Sequence, residues 1–320
     1  MAAVPGMGTT FNLENFTGEL FFLTPFDTPL TALIGGLTGG IRENTVDFEW
    51  QTVDNSPVSQ PDIPEGEDAT FESRSRDNAH NVVQIHQEGF HLTYTKLAAT
   101  GNVAGLSILG NQPVQDERSF QARLKLEKLA RDVEYSFIQG VFQKPGTNAD
   151  GRRTRGLQTA IVSRAVAAAG AQLSRDHVNT LLREMFHGTG TDIAEVVTGA
   201  PFRNVVIMCN AYQKQRITDI YGYAPQSRNV GGLNLNVIET DMGTFPIVLN
   251  RYMPTDEIYF VDLSVVAPHL LEIPGYGFFF MEPLAKTGSA EKWQFYGEVG
   301  LSYGPEEWHG KITGLADSPA

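Results

Sequence analysis

From Thr45 to Val53 apolar and polar residues alternate. Val46, Phe48 and Trp50 share one face of an extended strand, and Asp47, Glu49 and Gln51 share the other. A second alternating run begins at Val83. Val83 and Ile85 keep one phase, Phe90, Leu92 and Tyr94 take the opposite one, and the switch predicts a β-bulge at Gly89. Between the two runs, residues 54–81 are acidic and proline-bearing, with no apolar period. Two strands joined through such a segment predict a long hairpin arm with an irregular tip. Structureless loops beyond about 12–15 residues are uncommon inside compact domains, and a lone hairpin is only marginally stable in water. The arm is therefore expected to pack on another subunit.

The clearest helical period lies further on. Ala122, Leu126, Leu129, Val133 and Phe137 step by three or four residues and predict a helix over Pro113–Phe142, about 45 Å long at 1.5 Å per residue. Opposite charges recur at i, i+4: Arg123 with Glu127, Glu127 with Arg131, Lys128 with Asp132. The stripe covers barely two heptads, which argues against a coiled coil. Upstream, Phe11, Phe16, Phe21, Phe22 and Phe26 are irregularly spaced, as in an extended arm pinned onto other surfaces. Thr28-Pro29 reads as an N-cap and first helical residue for Leu30–Ile34, ended by Gly35-Gly36. Lys144–Arg155 is a basic, turn-rich connector.

Beyond it the pattern is α/β. Ser174 caps a helix carrying Val178, Leu181, Leu182 and Phe186 and stopped by Gly188. Asn204–Cys209 reads as a buried strand, and Asn210 caps a helix through Ile217 and Ile220 to Gly222. Strands are expected at Leu235–Glu239, Pro246–Asn250 and Ile258–Val261. Lys292–Tyr303 and Trp308–Ile312 read as a strand pair around Gly304-Pro305.

The 320 residues suffice for one large domain or two modest ones. No apolar run approaches the roughly 18–20 residues that span a bilayer, and no basic stretch followed by an apolar block marks a secretory signal. A reducing cytoplasm is the expected place of synthesis. The single cysteine, Cys209, excludes an internal disulfide and a multi-cysteine metal site, and its apolar setting predicts a buried structural thiol. Formal net charge is −13. Residues 1–95 carry fourteen acids against Arg42, Arg74 and Arg76 and no lysine, whereas residues 96–164 hold eleven basic residues against six acids. Such a chain is a poor free nucleic-acid binder, since phosphate affinity needs a broad basic surface. It can present an acidic arm to the basic middle of a neighbour; alternatively, the acids only keep an exposed loop solvated.

No motif points to catalysis. Gly188-Thr189-Gly190 follows a helix, where a dinucleotide turn follows a strand. The chain lacks a phosphate-cradling loop ending Gly-Lys-Ser/Thr and a Gly-x-Ser-x-Gly turn. His86 and His91 are five apart on a strand and face opposite sides unless the bulge intervenes. His177 and His187 are about 15 Å apart along one helix, and His309 reads as a packing or surface residue. Glu306-Glu307 offers no acid/base spacing, and Asp241-Met242-Gly243 reads as a turn. No catalytic residue, cofactor or metal is expected.

The order of these elements, with the phrases Thr24-Pro25-Phe26-Asp27-Thr28-Pro29-Leu30, Arg131-Asp132-Val133-Glu134, Thr240-Asp241-Met242-Gly243-Thr244 and Pro283-Leu284-Ala285-Lys286-Thr287-Gly288, resembles the major capsid proteins of tailed bacteriophages, in particular those infecting actinobacteria. The resemblance implies an α+β, HK97-like fold, which encapsulins share. On this resemblance residues 1–44 are an N-terminal arm and 45–95 the extended loop. Residues 96–174 form a peripheral domain with its spine helix at 113–142, 175–280 an axial domain, and 281–320 the return strands of the peripheral domain and the C-terminus. The implied function is a non-enzymatic, icosahedral shell around a phage genome. Its partners would be other copies in hexamers and pentamers, a portal, and scaffolding or decoration proteins, with double-stranded DNA as non-specific contents and no membrane. Such a protein would reside in the virion capsid after assembly in the host cytoplasm. An encapsulin-like storage shell and a soluble α/β enzyme are the alternatives.

More specific expectations follow. The arm starts by Phe11, which leaves no room before it for the N-terminal scaffolding segment of some relatives. Lysine–asparagine crosslinks from the loop are not expected, because no lysine precedes Lys96. Subunit contacts are expected at Phe11, Phe16 and Phe22 of the arm. Further contacts are expected from Glu65, Glu67, Asp68 and Glu72 of the loop to Arg152, Arg153, Arg155 and the spine-helix lysines of a neighbour. Reversing those three arginines should impair assembly without unfolding the subunit.

Overall fold

The computed structural model describes residues 27–37, 39–54, 60, 62–95, 117–147, 149–188, 199–221, 227–230 and 233–318. Its elements in order are α1 (Pro29–Leu33), β1 (Ile41–Glu43), β2 (Asp47–Thr52), β3 (Asp77–Val82), β4 (Gln84–Thr93), α2 (Glu117–Gln139), α3 (Leu157–Ala160), β5 (Ala165–Ala167), α4 (Arg175–His187), β6 (Val205–Cys209), α5 (Ala211–Tyr221), β7 (Ser227–Val230), β8 (Leu233–Thr240), β9 (Gly243–Leu249), β10 (Ile258–Asp262), β11 (Ala267–Leu271), β12 (Phe279–Leu284), β13 (Ala290–Ser302) and β14 (Gly310–Thr313).

Three sheets result. One has the order β1-β11-β13-β12 with β4 also paired to β13; a second runs β5-β14-β10-β6-β9-β8-β7; β2 and β3 form a two-stranded ribbon. The chain divides into two compact units.

The described parts of the first unit are residues 88–95, 117–128 and 281–295. Its core is Phe90, Leu92 and Trp293, with Ala122 and Phe295 against them. Arg118 lies 4.5 Å above the Trp293 ring. Lys125 and Lys128 both reach Glu88. Burial pushes that carboxyl up, but the two lysine hydrogen bonds outweigh it and hold the group below its ordinary range.

The second unit takes residues 27–87, 129–280 and 296–320. The seven-stranded sheet belongs here, and its central strands β6 and β10 are buried at every position. Such strands read as continuous apolar runs because both faces are covered. Val178, Leu181, Leu182 and Met185 of α4 pack on Val205, Ile207, Phe260 and Ile312. Ser174 caps α4 through the His177 N–H, and the His177 ring accepts the Ser174 N–H in return. Gly188 ends it, and Asn210 caps α5 by accepting the Gln213 N–H at 2.9 Å.

Several expectations need correcting. Phe186 is half exposed, and Met185 takes its place in the core. The partner of β2 is β3, drawn from the stretch 54–81 expected to be irregular, while the second alternating run forms β4 and pairs with β13. The phase switch falls at Val82–Val83, both buried, because the ribbon ends there. Alternation then continues unbroken through Gly89, with His86, Phe90 and Leu92 inward and His91 outward. The helix α2 stops at Gln139, short of Phe142, so 23 residues span about 34 Å; Pro113–Asp116 lie outside the described residues. Leu126 is exposed, whereas Leu129, Val133 and Phe137 are buried.

The expected pairing of the last two strands is also overturned. Gly304, with φ of 61°, and a 3-10 turn over Glu306–Trp308 carry the chain out of the β13 sheet. β14 then enters the other sheet, antiparallel to β10 and parallel to β5. A doubly buried strand such as β10 needs partners on both edges, and that requirement has no signature in β14 itself.

Candidate functional site

The ribbon β2–β3 forms the root of the stretch expected to be an extended loop. Its antiparallel register runs from Asp47↔Val82 to Thr52↔Asp77. Phe48 is buried and stacks on His269 with centroids 4.1 Å apart. It crosses β13 at Gly300, where a Cβ would come within 2.6 Å of the Phe48 ring, so only glycine permits this approach. The Trp50 indole N–H donates to the Gly304 carbonyl at 2.9 Å, and its ring meets Tyr303 edge-on at 4.9 Å. Asn81 is fully buried. Its amide donates to the carbonyls of Leu301 (2.7 Å) and Arg155 (3.1 Å), and its oxygen accepts the N–H groups of Arg155 (2.8 Å) and Val82 (2.9 Å). All four capacities of the side chain are used, which fixes the root in one geometry.

Past the root the character changes abruptly. Every described residue from 53 to 78 is exposed. Glu65, Glu67, Asp68 and Glu72 all lie here. Gly66, with φ of 95°, makes a turn in which the Glu67 N–H donates to the Pro64 carbonyl at 3.3 Å. Phe71 is 94% exposed.

The expected receptors behave unequally. Arg152 pairs with Glu298 of its own chain at 2.8 Å, both side chains largely buried, and the Tyr296 hydroxyl donates to the same carboxylate. Burial and that carboxylate push the Tyr296 phenol up to about 12. Arg155 donates to the Tyr303 hydroxyl at 3.1 Å and lies 4.7 Å above the Phe142 ring. Both arginines thus hold their own fold together, so the expectation that their reversal would spare it does not stand. Arg153 is exposed, its backbone bonded both ways to Gln143. Phe11, Phe16 and Phe22 lie outside the described residues.

Sequence reasoning missed Glu134. It is fully buried on α2 and accepts hydrogen bonds from the Leu30 and Thr31 N–H groups, the Thr31 hydroxyl and the Asn250 amide. The expected Thr28 cap makes no side-chain bond. A carboxylate 104 positions away in sequence from Leu30 instead satisfies the open N–H groups of α1. Burial pushes the Glu134 carboxyl up, and these donors partly offset it. The signal available in sequence was an acid beside Val133 on the inward stripe. Burial also raises the Cys209 thiol to about 12, as suits a structural cysteine. His309 is fully buried; Nδ1 accepts the Asp262 N–H at 3.1 Å, and Nε2 lies 2.6 Å from the Tyr303 carbonyl, to which it donates. Among the described residues no group of three or more His, Cys, Asp or Glu is placed to hold a metal, and no helix is long and apolar enough to cross a membrane.

The model of the SU10 major capsid protein family matches residues 3–316. No curated protein matches. Among solved structures, the capsid of cyanophage A-1(L) superposes with a TM-score of 0.66 at 12% identity, covering 98% of this chain and 100% of that one. Mycobacterium phage Adephagia gives 0.59 at 9%, covering both chains fully. The SrpI encapsulin of Synechococcus elongatus PCC 7942 gives 0.60 at 9%, covering 99% and 98%. At these identities the neighbours establish the HK97-like fold, and the family match establishes the rest. The chain belongs to the SU10 major capsid protein family, and its role is structural: copies of it assemble into the capsid shell of a tailed phage.

Proposed function

We propose that each copy grips its neighbour non-covalently through residues 53–76, held out from the rigid β2–β3 root. One observation carries this: the described residues of 53–76 are all exposed and continue a ribbon whose buried amide, Asn81, is completely bonded. Residues 1–44 are then an arm, 45–95 the extended loop, and 96–174 a peripheral domain around the spine helix. Residues 175–280 are an axial domain built on strands β6 to β10 of the seven-stranded sheet, and 281–320 hold the return strands of the peripheral domain and the C-terminus, with β14 joining the axial sheet. Hexamers and pentamers of the shell use heterologous contacts closed by symmetry, which suits an arm reaching one way around a ring. A portal protein, scaffolding or decoration proteins and packaged double-stranded DNA complete the particle, assembled in the host cytoplasm. We assign no catalysis: Glu134, His309 and Cys209, buried groups displaced from their ordinary pKa, each serve packing or backbone hydrogen bonding.

The encapsulin neighbour supports a second reading, a protein-storage shell of the same fold. Purified particles separate the two, since a phage head carries DNA and a storage shell carries protein cargo. Limited proteolysis tests the loop. Unassembled subunits should be cut within 53–78 and assembled shells protected there; a subunit resistant in that stretch before assembly contradicts the proposal.

A further inference from the structure

The turn before the arginine trio carries a chemistry that shell assembly does not use. Asp150-Gly151 is the one Asp-Gly step in the sequence, which contains no Asn-Gly. Thr147, Ala149, Asp150 and Gly151 are all exposed. A glycine after an aspartate leaves the amide nitrogen between them unshielded, because no Cβ stands beside it. The surroundings are open as well, since nothing lies within 4 Å of the place a Gly151 Cβ would take.

Local hydrogen bonds converge on the same aspartate. Its N–H donates to the Thr147 carbonyl at 3.1 Å. In return the Thr147 N–H and hydroxyl both donate to Asp150 Oδ2, each at 3.0 Å. Two donors on one carboxyl oxygen favour negative charge there, the arrangement that stabilises a tetrahedral intermediate at the attached carbon.

We propose that Asp150-Gly151 is a modification site, where the chain closes spontaneously to a succinimide and reopens as isoaspartate. The Gly151 nitrogen attacks Asp150 Cγ, and a C–N bond forms as the nitrogen gives up its proton. The carboxyl reacts in its acid form: the Cγ–Oδ1 bond breaks, and Oδ1 leaves as water with the acid proton and one more, which balances the proton lost by nitrogen. Water then adds to the ring. Addition at Cγ restores aspartate. Addition at the main-chain carbonyl of residue 150 breaks its bond to the Gly151 nitrogen and leaves isoaspartate, so the net change is an isomerisation. The product carries one extra methylene in its main chain, directly upstream of four anchored residues. Arg152 pairs with Glu298, Arg153 bonds Gln143 through both backbone groups, and the Thr154 hydroxyl accepts the Leu301 N–H at 3.3 Å. The Arg155 N–H donates to Asn81 at the root of the β2–β3 ribbon. The insertion strains these anchors. A closed shell is not rebuilt from new subunits, so the change accumulates with its age.

Ageing in oxygen-18 water tests the site. Assembled shells are incubated in it, and peptides are mapped by mass spectrometry and by labelling with isoaspartyl methyltransferase. Each closure and reopening brings solvent oxygen into residue 150. Solvent label and isoaspartate should therefore collect at 150, at least about tenfold above Asp219 and Asp241, which are also exposed but precede Ile220 and Met242. Gly151→Ala, for which the turn has room, should assemble normally and lose both signals. Asp150→Glu, whose closure needs a six-membered ring, should lose them too and serves if the alanine variant fails to assemble. Thr147→Val removes the hydroxyl donor and should slow the reaction. Aged wild-type shells should exchange the amides of residues 152–155 faster than fresh ones, and aged Gly151→Ala shells should not. Equal labelling at 150, 219 and 241 would overturn the site. A faster reaction in Thr147→Val would overturn the part given to the donors, and isoaspartate at 150 with unchanged exchange would overturn the strain on the anchors.

Discussion

Glu134 shows how one buried side chain can organise distant segments. Removing it strands the Leu30 and Thr31 N–H groups and the Asn250 amide away from water, and each unsatisfied buried donor costs about 1–3 kcal/mol. Glu134→Ala should therefore lower subunit stability by about 3 kcal/mol or more in urea unfolding, while Arg123→Ala on the exposed side of α2 should cost under about 1 kcal/mol. Two histidines make a second residue-scale prediction. Burial holds both His269 and His309 below the ordinary imidazole range, with hydrogen bonds to Glu43 and the Tyr303 carbonyl opposing it. The folded state thus keeps them neutral, while the unfolded chain takes up protons below about pH 6.5. Their contribution is complete above that pH and is lost as pH falls through 6.5 toward the folded values, at up to about 1.4 kcal/mol per pH unit for each. His269→Gln should flatten the fall in unfolding free energy between pH 7.5 and 5.5; an unchanged slope would remove His269 from the account.

At the scale of elements, the arginine trio separates fold from assembly. Arg152→Glu sets a carboxylate against the buried Glu298 and should cost at least about 3 kcal/mol. Arg153→Glu should leave unfolding unchanged within about 0.5 kcal/mol and slow assembly instead. Equal destabilisation by both would contradict their assignment. What the chain disclosed in advance follows the same division. The strands β2, β4, β6, β8, β9 and β10, the helix α2 and the Ser174 cap were legible, because each rests on local period or turn chemistry. β3, the actual partner of β2, was not, since Asp77–Asn81 carry mostly polar side chains and fell within the stretch expected to be irregular. β1, β5 and β11 were not: at three to five residues with no alternation, they exist through the register of their neighbours. β14 was seen as a strand but given the wrong partner, since its place beside β10 depends on a turn at Gly304 and not on its own residues. In the candidate site the exposed acids were legible from composition. The commitment of Arg152 to Glu298, 146 positions away, was not.

For the whole molecule, the proposed loop contact predicts a shell held without covalent links. Residues 53–76 contain no lysine, so the loop cannot donate an amine to a covalent link. Boiled, denatured particles should run as single 35.1 kDa subunits, and a ladder of multiples would refute non-covalent closure. The central claim is that this subunit builds a shell by reaching out with one loop. Electron microscopy of the purified protein, beside a variant in which residues 53–76 are replaced by a two-residue turn, tests it most directly. The root strands stay paired in that variant, so the subunit should remain folded. The wild-type chain is expected to form closed shells, and the variant to remain as folded, unassembled subunits. Shells of normal size and number from the variant would contradict the account.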